Sequence, residues 1–159
     1  MNASVIFAVV IIGFAAGLRA LTPPAVVGWC AYLGCLNLGE TPFSFMSSPV
    51  FVAVLSILAA GEYVWDLLPN TPSRTAPPGL ISRIVTGSFS AACLLAAANH
   101  GLALGVLGGV AAILGAFAGL RIRVRLASAL AVKDPFVAIP EDFVAIGLSL
   151  FAVYLSGAL

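Results

Sequence analysis

PVFVAVLSILAAGEYVWDLL, residues 49–68, is the stretch that decides the fold. A membrane-spanning helix needs about 20 predominantly apolar residues, and only Glu62 and Asp66 interrupt an otherwise uncharged run. At about 1.5 Å per residue, Glu62 lies roughly 9 Å inside the end at Leu68. Asp66 follows at i+4, so the two carboxylates share one helix face. A charge inside hydrocarbon costs about 2.5–3.5 kcal/mol on insertion scales. A span that keeps such a face implies cationic partners elsewhere in the chain.

Working outward, residues 3–21, 79–98, 101–120 and 143–159 also read as spans, each bounded by Pro, Gly, Asn or charge. Residues 25–36 form a sixth, short segment, read as a crossing in preference to a re-entrant piece. Residues 3–21 are read as a retained span, because no positive residue precedes them and no small-residue cleavage site follows. With 62% hydrophobic and 8% charged residues in 159 positions, the composition leaves room for one membrane domain, residues 1–159, and little else. The net charge of +1 gives no reason to expect nucleic acid, which requires a clustered basic footprint. Cys30, Cys35 and Cys93 form no CxxC pair and no cluster with histidine, and read as small packing residues.

Cytoplasmic loops collect Lys and Arg. Six crossings with both termini outside place Arg19, Arg74, Arg83, Arg121, Arg123, Arg125 and Lys133 on the cytoplasmic side, while the external connections 37–48 and 99–100 carry neither residue type. Residues 121–134, RIRVRLASALAVKD, are too charged to span. They are expected as an interfacial helix whose Arg121, Arg123 and Arg125 meet anionic lipid headgroups.

The candidate site gathers at that same side. Arg19 closes the first span within GLRALTPP, residues 17–24, where Thr22 suits a helix N-cap and Pro23 a first helical position. The N–H groups of the helix that starts there point into the break, a favourable place for an anion or carboxylate. Arg83 supplies a second cation at this depth, and Asp134, Glu141 and Asp142 close the face from the second half of the chain. Substrate or ion binding is therefore expected at Arg19, Glu62, Asp66, Arg83, Asp134, Glu141 and Asp142. The plainer reading, snorkelling or mutual pairing that fixes helix register, suits Asp66, Arg74 and Arg121 best. Residues 70–79, NTPSRTAPPG, read as a non-helical cap or connector.

Gly13, Gly17, Gly101, Gly105, Gly108, Ala112, Gly115 and Gly119 recur at three- and four-residue spacing, which suits close helix packing within a subunit or across a homodimer. GFAAGLRA at 13–20 echoes GAFAGLRI at 115–122, a faint sign of a parallel repeat relating residues 3–36 to 101–159. No catalytic residue, cofactor or enzyme motif is indicated: His100 stands in an external turn, and GxSxG, HExxH, P-loop and dinucleotide patterns are missing. The carboxylate spacing does not specify a metal site.

Laid out in this way, the chain resembles a family of small bacterial inner-membrane proteins known only as a domain of unknown function. The resemblance rests on GLRALTPP, on Glu62 with Asp66 and LPNTPSRTAPPG at residues 68–79, on Arg123 and Arg125 with Leu126, and on Lys133-Asp134 followed by Glu141-Asp142. It covers nearly the whole chain, and LPNTPSRTAPPG is its most specific part. The family pattern usually has Lys after the second acidic residue and an aromatic after the later glycine, where this chain has Leu67 and Leu120. A lysine–aspartate pairing therefore does not transfer.

The expectation is an all-α membrane protein: a compact bundle of about six transmembrane helices, one of them short, plus a cytoplasmic-side interfacial helix. The resemblance implies a bacterial inner-membrane location and no established activity. The residues themselves favour a small transporter or channel-like protein with an ion or small-molecule substrate. A scaffold binding anionic lipid or a membrane partner is the alternative, and an enzyme acting on a lipid headgroup comes third.

Overall fold

The computed structural model describes residues 2–66, 75–130 and 135–157. Among these, the α-helices are α1 (Ala3–Leu18), α2 (Thr22–Tyr32), α3 (Pro49–Asp66), α4 (Pro77–Ala97), α5 (Gly105–Leu130) and α6 (Pro135–Leu155), with 3-10 turns at Ser44–Ser47 and Leu102–Leu104. Three stretches are long and apolar enough to cross a membrane, namely Pro49–Asp66, Pro77–Ala97 and Leu102–Leu126, and Ala3–Leu18 is a shorter apolar helix.

The surface is unlike that of a water-soluble bundle. Phe7, Val50, Ile57, Val85, Leu114, Phe143 and Tyr154 are exposed, whereas Arg19, Arg83 and Arg123 are buried. Exposed aliphatic and aromatic side chains, with arginines buried at one end of the bundle, suit lipid as solvent, and the protein is an all-helical membrane protein.

Helices α1 and α5 run parallel and almost touch backbone to backbone. A Cβ on Gly13 or Gly17 would collide with the backbone of Gly108 or of Ala112, Gly115 and Ala116, and one on Gly108 would meet Gly87 and Ala91 of α4. The glycine faces of α1 and α5 are thus used inside one chain, the first of the two packing readings. Helix α4 lies antiparallel to α5, with Ser88 beside both Gly105 and Gly109 and Ile84 beside Gly109. Helices α2 and α3 are also antiparallel, joined by a hydrogen bond between Thr22 and Tyr63 near one end and by Trp29 Nε1 donating to Ser56 farther along.

Helix α2 has 11 residues and spans only about 16 Å. The chain nevertheless reaches the far end, because α3 starts there and returns about 27 Å over its 18 residues. The connecting loop buries Leu36, Leu38 and Met46 in the apolar core, which is where non-helical backbone can survive in a membrane protein. The helix begins three residues before the expected segment. Thr22 is its first residue and Leu21 its N-cap, with no side-chain cap bond, so the anticipated capping by Thr22 is not what occurs.

Helices α2 and α4 end in the same way. Gly34 (φ 78°) and Asn99 (φ 57°) take the left-handed conformation, and Cys35 N–H donates to Cys30 O while His100 N–H donates to Leu95 O. These are Schellman closures that satisfy terminal carbonyls.

Three expectations change. Among the described residues the arginine-rich segment forms no separate interfacial helix, since α5 continues unbroken through Arg121 to Leu130. Arg, Leu and Ala are strong helix formers, and a helix has no reason to stop where its surroundings turn polar. Helix α6 starts at Pro135 rather than near Phe143, so Glu141 and Asp142 are helical. Pro77, Pro78 and Gly79 form the first turn of α4, where proline lacks only an N–H that has no intrahelical partner anyway.

Candidate functional site

Five helices bring charge to one end of the bundle, and the break between α1 and α2 organises it. Helix α1 stops because Arg19 turns extended, at φ −138° and ψ 115°. Helix ends leave carbonyls on one side and N–H groups on the other without partners. Glu62 of α3 fills the N–H side: its Oε1 accepts from Ala20 N–H and its Oε2 from Leu21 N–H, both at 2.8 Å. The anion predicted for the mouth of α2 is therefore this chain's own carboxylate, favoured there by the positive end of the helix dipole. Arg83 serves the carbonyl side. Its Nε donates to Gly17 O at 3.1 Å and its Nη1 to Gly79 O at 3.0 Å, while Nη2 lies 3.7 Å from Glu62 Oε1.

Beside this clamp is a second group of charges. Arg19 Nη1 donates to Asp66 Oδ2 at 2.5 Å, and Arg19 Nε lies 2.5 Å from Asp142 Oδ1. The second contact is an ion pair between two buried atoms. The Arg19 guanidinium also sits 5.3 Å from the centre of the Tyr63 ring, within cation–π range, and the Tyr63 hydroxyl shares a 2.8 Å hydrogen bond with Thr22 Oγ1. Arg123 of α5 donates from Nη1 to Asp66 Oδ2 at 3.2 Å and lies 3.7 Å from Glu141 Oε2.

The structure brings most of the expected group together. Arg19, Glu62, Asp66, Arg83, Glu141 and Asp142 do converge. Glu62 engages Arg83 and the backbone, while Arg19 engages Asp66 and Asp142. Asp66 does not snorkel, since it is held between two guanidinium groups. Asp134 lies outside the described residues.

Arg123 is the residue whose role the sequence reading missed. Arg121 and Arg125 are exposed as expected for headgroup contact, but Arg123 is buried in the cluster. The signal was present: at about 100° per residue, positions 121 and 125 share a face and 123 points away from both. Arg19 is buried and Arg121 exposed, so the two GLR echoes set their arginines in unlike surroundings.

Among the described residues the cluster holds three guanidinium groups and four carboxylates, an excess of one negative charge. The carboxylate side chains are 10–19% exposed and the arginine side chains 1–10%. Arg19 is the most buried of the seven and Asp142 the most open. No set of three His, Cys, Asp or Glu side chains converges as a metal site among the described residues.

Comparison with curated proteins and with solved structures returns no match. The sequence profile of one family fits residues 6–156, nearly the entire chain. The protein belongs to the family described as Domain of unknown function (DUF4126).

Proposed function

We propose that the protein is a small membrane transporter, and that its charged cluster binds a proton or a monovalent cation as the coupling or transported species. One observation carries the reading: a helical bundle with an apolar exposed surface keeps seven ionisable side chains together at one end, with carboxylate in excess. Ionisable groups at such depth are costly and usually functional. Asp142 is the residue for the ion, because its side chain is the most exposed of the four carboxylates, at 19%. Glu62 and Arg83 hold the α1–α2 break. The cluster end faces the cytoplasm, since every Lys and Arg of the chain falls toward that side in the six-crossing arrangement.

The scaffold reading draws on the pairing itself, because each of the four carboxylates has a guanidinium nitrogen within 4.0 Å. Charge displacement in proteoliposomes on a solid-supported membrane separates the two without knowledge of a substrate. A transporter gives a current on a step in pH or in sodium or potassium concentration. A scaffold gives the response of empty liposomes.

A further inference from the structure

The described arginines divide into two classes. Arg19, Arg83 and Arg123 are buried and matched to carboxylates. Arg121 and Arg125 are exposed, and neither guanidinium has an ion-pair partner among the described residues. They stand four residues apart on α5, so their side chains rise from one helix face, with Cβ atoms about 5–6 Å apart.

Their setting is the edge of the apolar surface. Helix α5 has 26 residues and measures about 39 Å, against roughly 30 Å for the hydrocarbon layer. Its apolar stretch ends at Leu126. Ile122, Val124 and Leu126, interleaved with the arginines, are exposed, as is Leu114 two turns earlier. An acyl chain lying along Leu114 and Ile122 brings its headgroup to the height of the two guanidinium groups. Arginine, with its planar fork of donors, suits phosphate oxygens.

We propose that Arg121 and Arg125 form a binding site for the phosphate of an anionic phospholipid, a surface separate from the inward-facing cluster and independent of any transport role. The pair takes one phosphodiester between them, and the aliphatic residues of the same helix receive the acyl chain. Charge complementarity favours a lipid with net negative charge over a zwitterionic one, whose own cation would meet the same guanidinium groups. Arg123 takes no part, because its guanidinium is committed to Asp66.

The test uses the purified full-length protein, delipidated in a neutral detergent and titrated with dioleoyl phosphatidylglycerol or dioleoyl phosphatidylcholine, with bound lipid counted by native mass spectrometry. Wild type should prefer phosphatidylglycerol. Each of R121Q and R125Q should lower that preference about fivefold and the double variant about thirtyfold, from roughly one basic residue's attraction apiece. The double lysine variant, R121K with R125K, keeps the charge and should retain most of the preference. Because both side chains are exposed, all variants should keep the wild-type circular dichroism.

An unchanged preference in R121Q/R125Q overturns the proposal, as does equal binding of the two lipids by wild type. Displacement of phosphatidylglycerol by inorganic phosphate at matched ionic strength would mean a soluble-anion site instead, and equally overturns it.

Discussion

Glu62 has both carboxylate oxygens engaged by backbone N–H groups, whereas Asp142, the more exposed side chain, meets only the Arg19 guanidinium among the described residues. This difference separates an anchoring acid from one free to exchange a ligand. In Glu62→Gln the amide nitrogen must face either Ala20 N–H or Leu21 N–H, donor against donor. A buried donor left without an acceptor costs about 1–3 kcal/mol, so the variant should unfold at a clearly lower temperature in detergent. An unchanged midpoint would show that the break does not depend on this carboxylate. Sequence alone sets Glu62 among the candidate ion-binding acids by its depth in a span and by the arginines expected near it. Which acid meets which cation depends on tertiary placement, and the Arg19 pairing with Asp66 and Asp142 joins residues 47 and 123 positions apart.

At the scale of the elements, the spans were legible because apolar length reports directly on lipid burial, and the α1–α2 break was legible in LTPP. The continuation of α5 was not. Hydropathy registers where lipid ends, while backbone hydrogen bonding decides where a helix ends, and RIRVRLASAL satisfies the second without the first. The glycines that let α1, α4 and α5 approach give a prediction of their own. In Gly108 a Cβ would stand 2.5 Å from Ala91 Cβ and from Gly87 O, so Gly108→Leu forces the helices apart. Overpacking of this kind typically costs about 1–3 kcal/mol. Val110→Leu, at an exposed site on the same helix, is the matched control and should keep wild-type stability. Equal thermal stability and size-exclusion behaviour in the two variants would contradict close packing at Gly108.

For the molecule as a whole, six alternating traverses bring the ends of α1, α3 and α5 and the starts of α2, α4 and α6 to one side. Basic residues gather there and the loop around Ser44 lies opposite, so the positive-inside tendency predicts that the cluster end faces the cytoplasm. Single cysteines at Ser44 and Ser128, both exposed, in a background without Cys30, Cys35 and Cys93, report it through an impermeant maleimide applied to intact, outer-membrane-permeabilised cells. Labelling at Ser44 and protection at Ser128 are expected, and the reverse pattern would invert the assignment.

The central claim is that the charged cluster takes up an ion, and it is tested most directly by the charge displaced in wild-type and Asp142→Asn proteoliposomes on a step in pH or monovalent cation. The account predicts a current in wild type that disappears in Asp142→Asn while the variant's thermal midpoint shows the protein still folded. A wild-type response no greater than that of empty liposomes, or a full current persisting in folded Asp142→Asn, would contradict it.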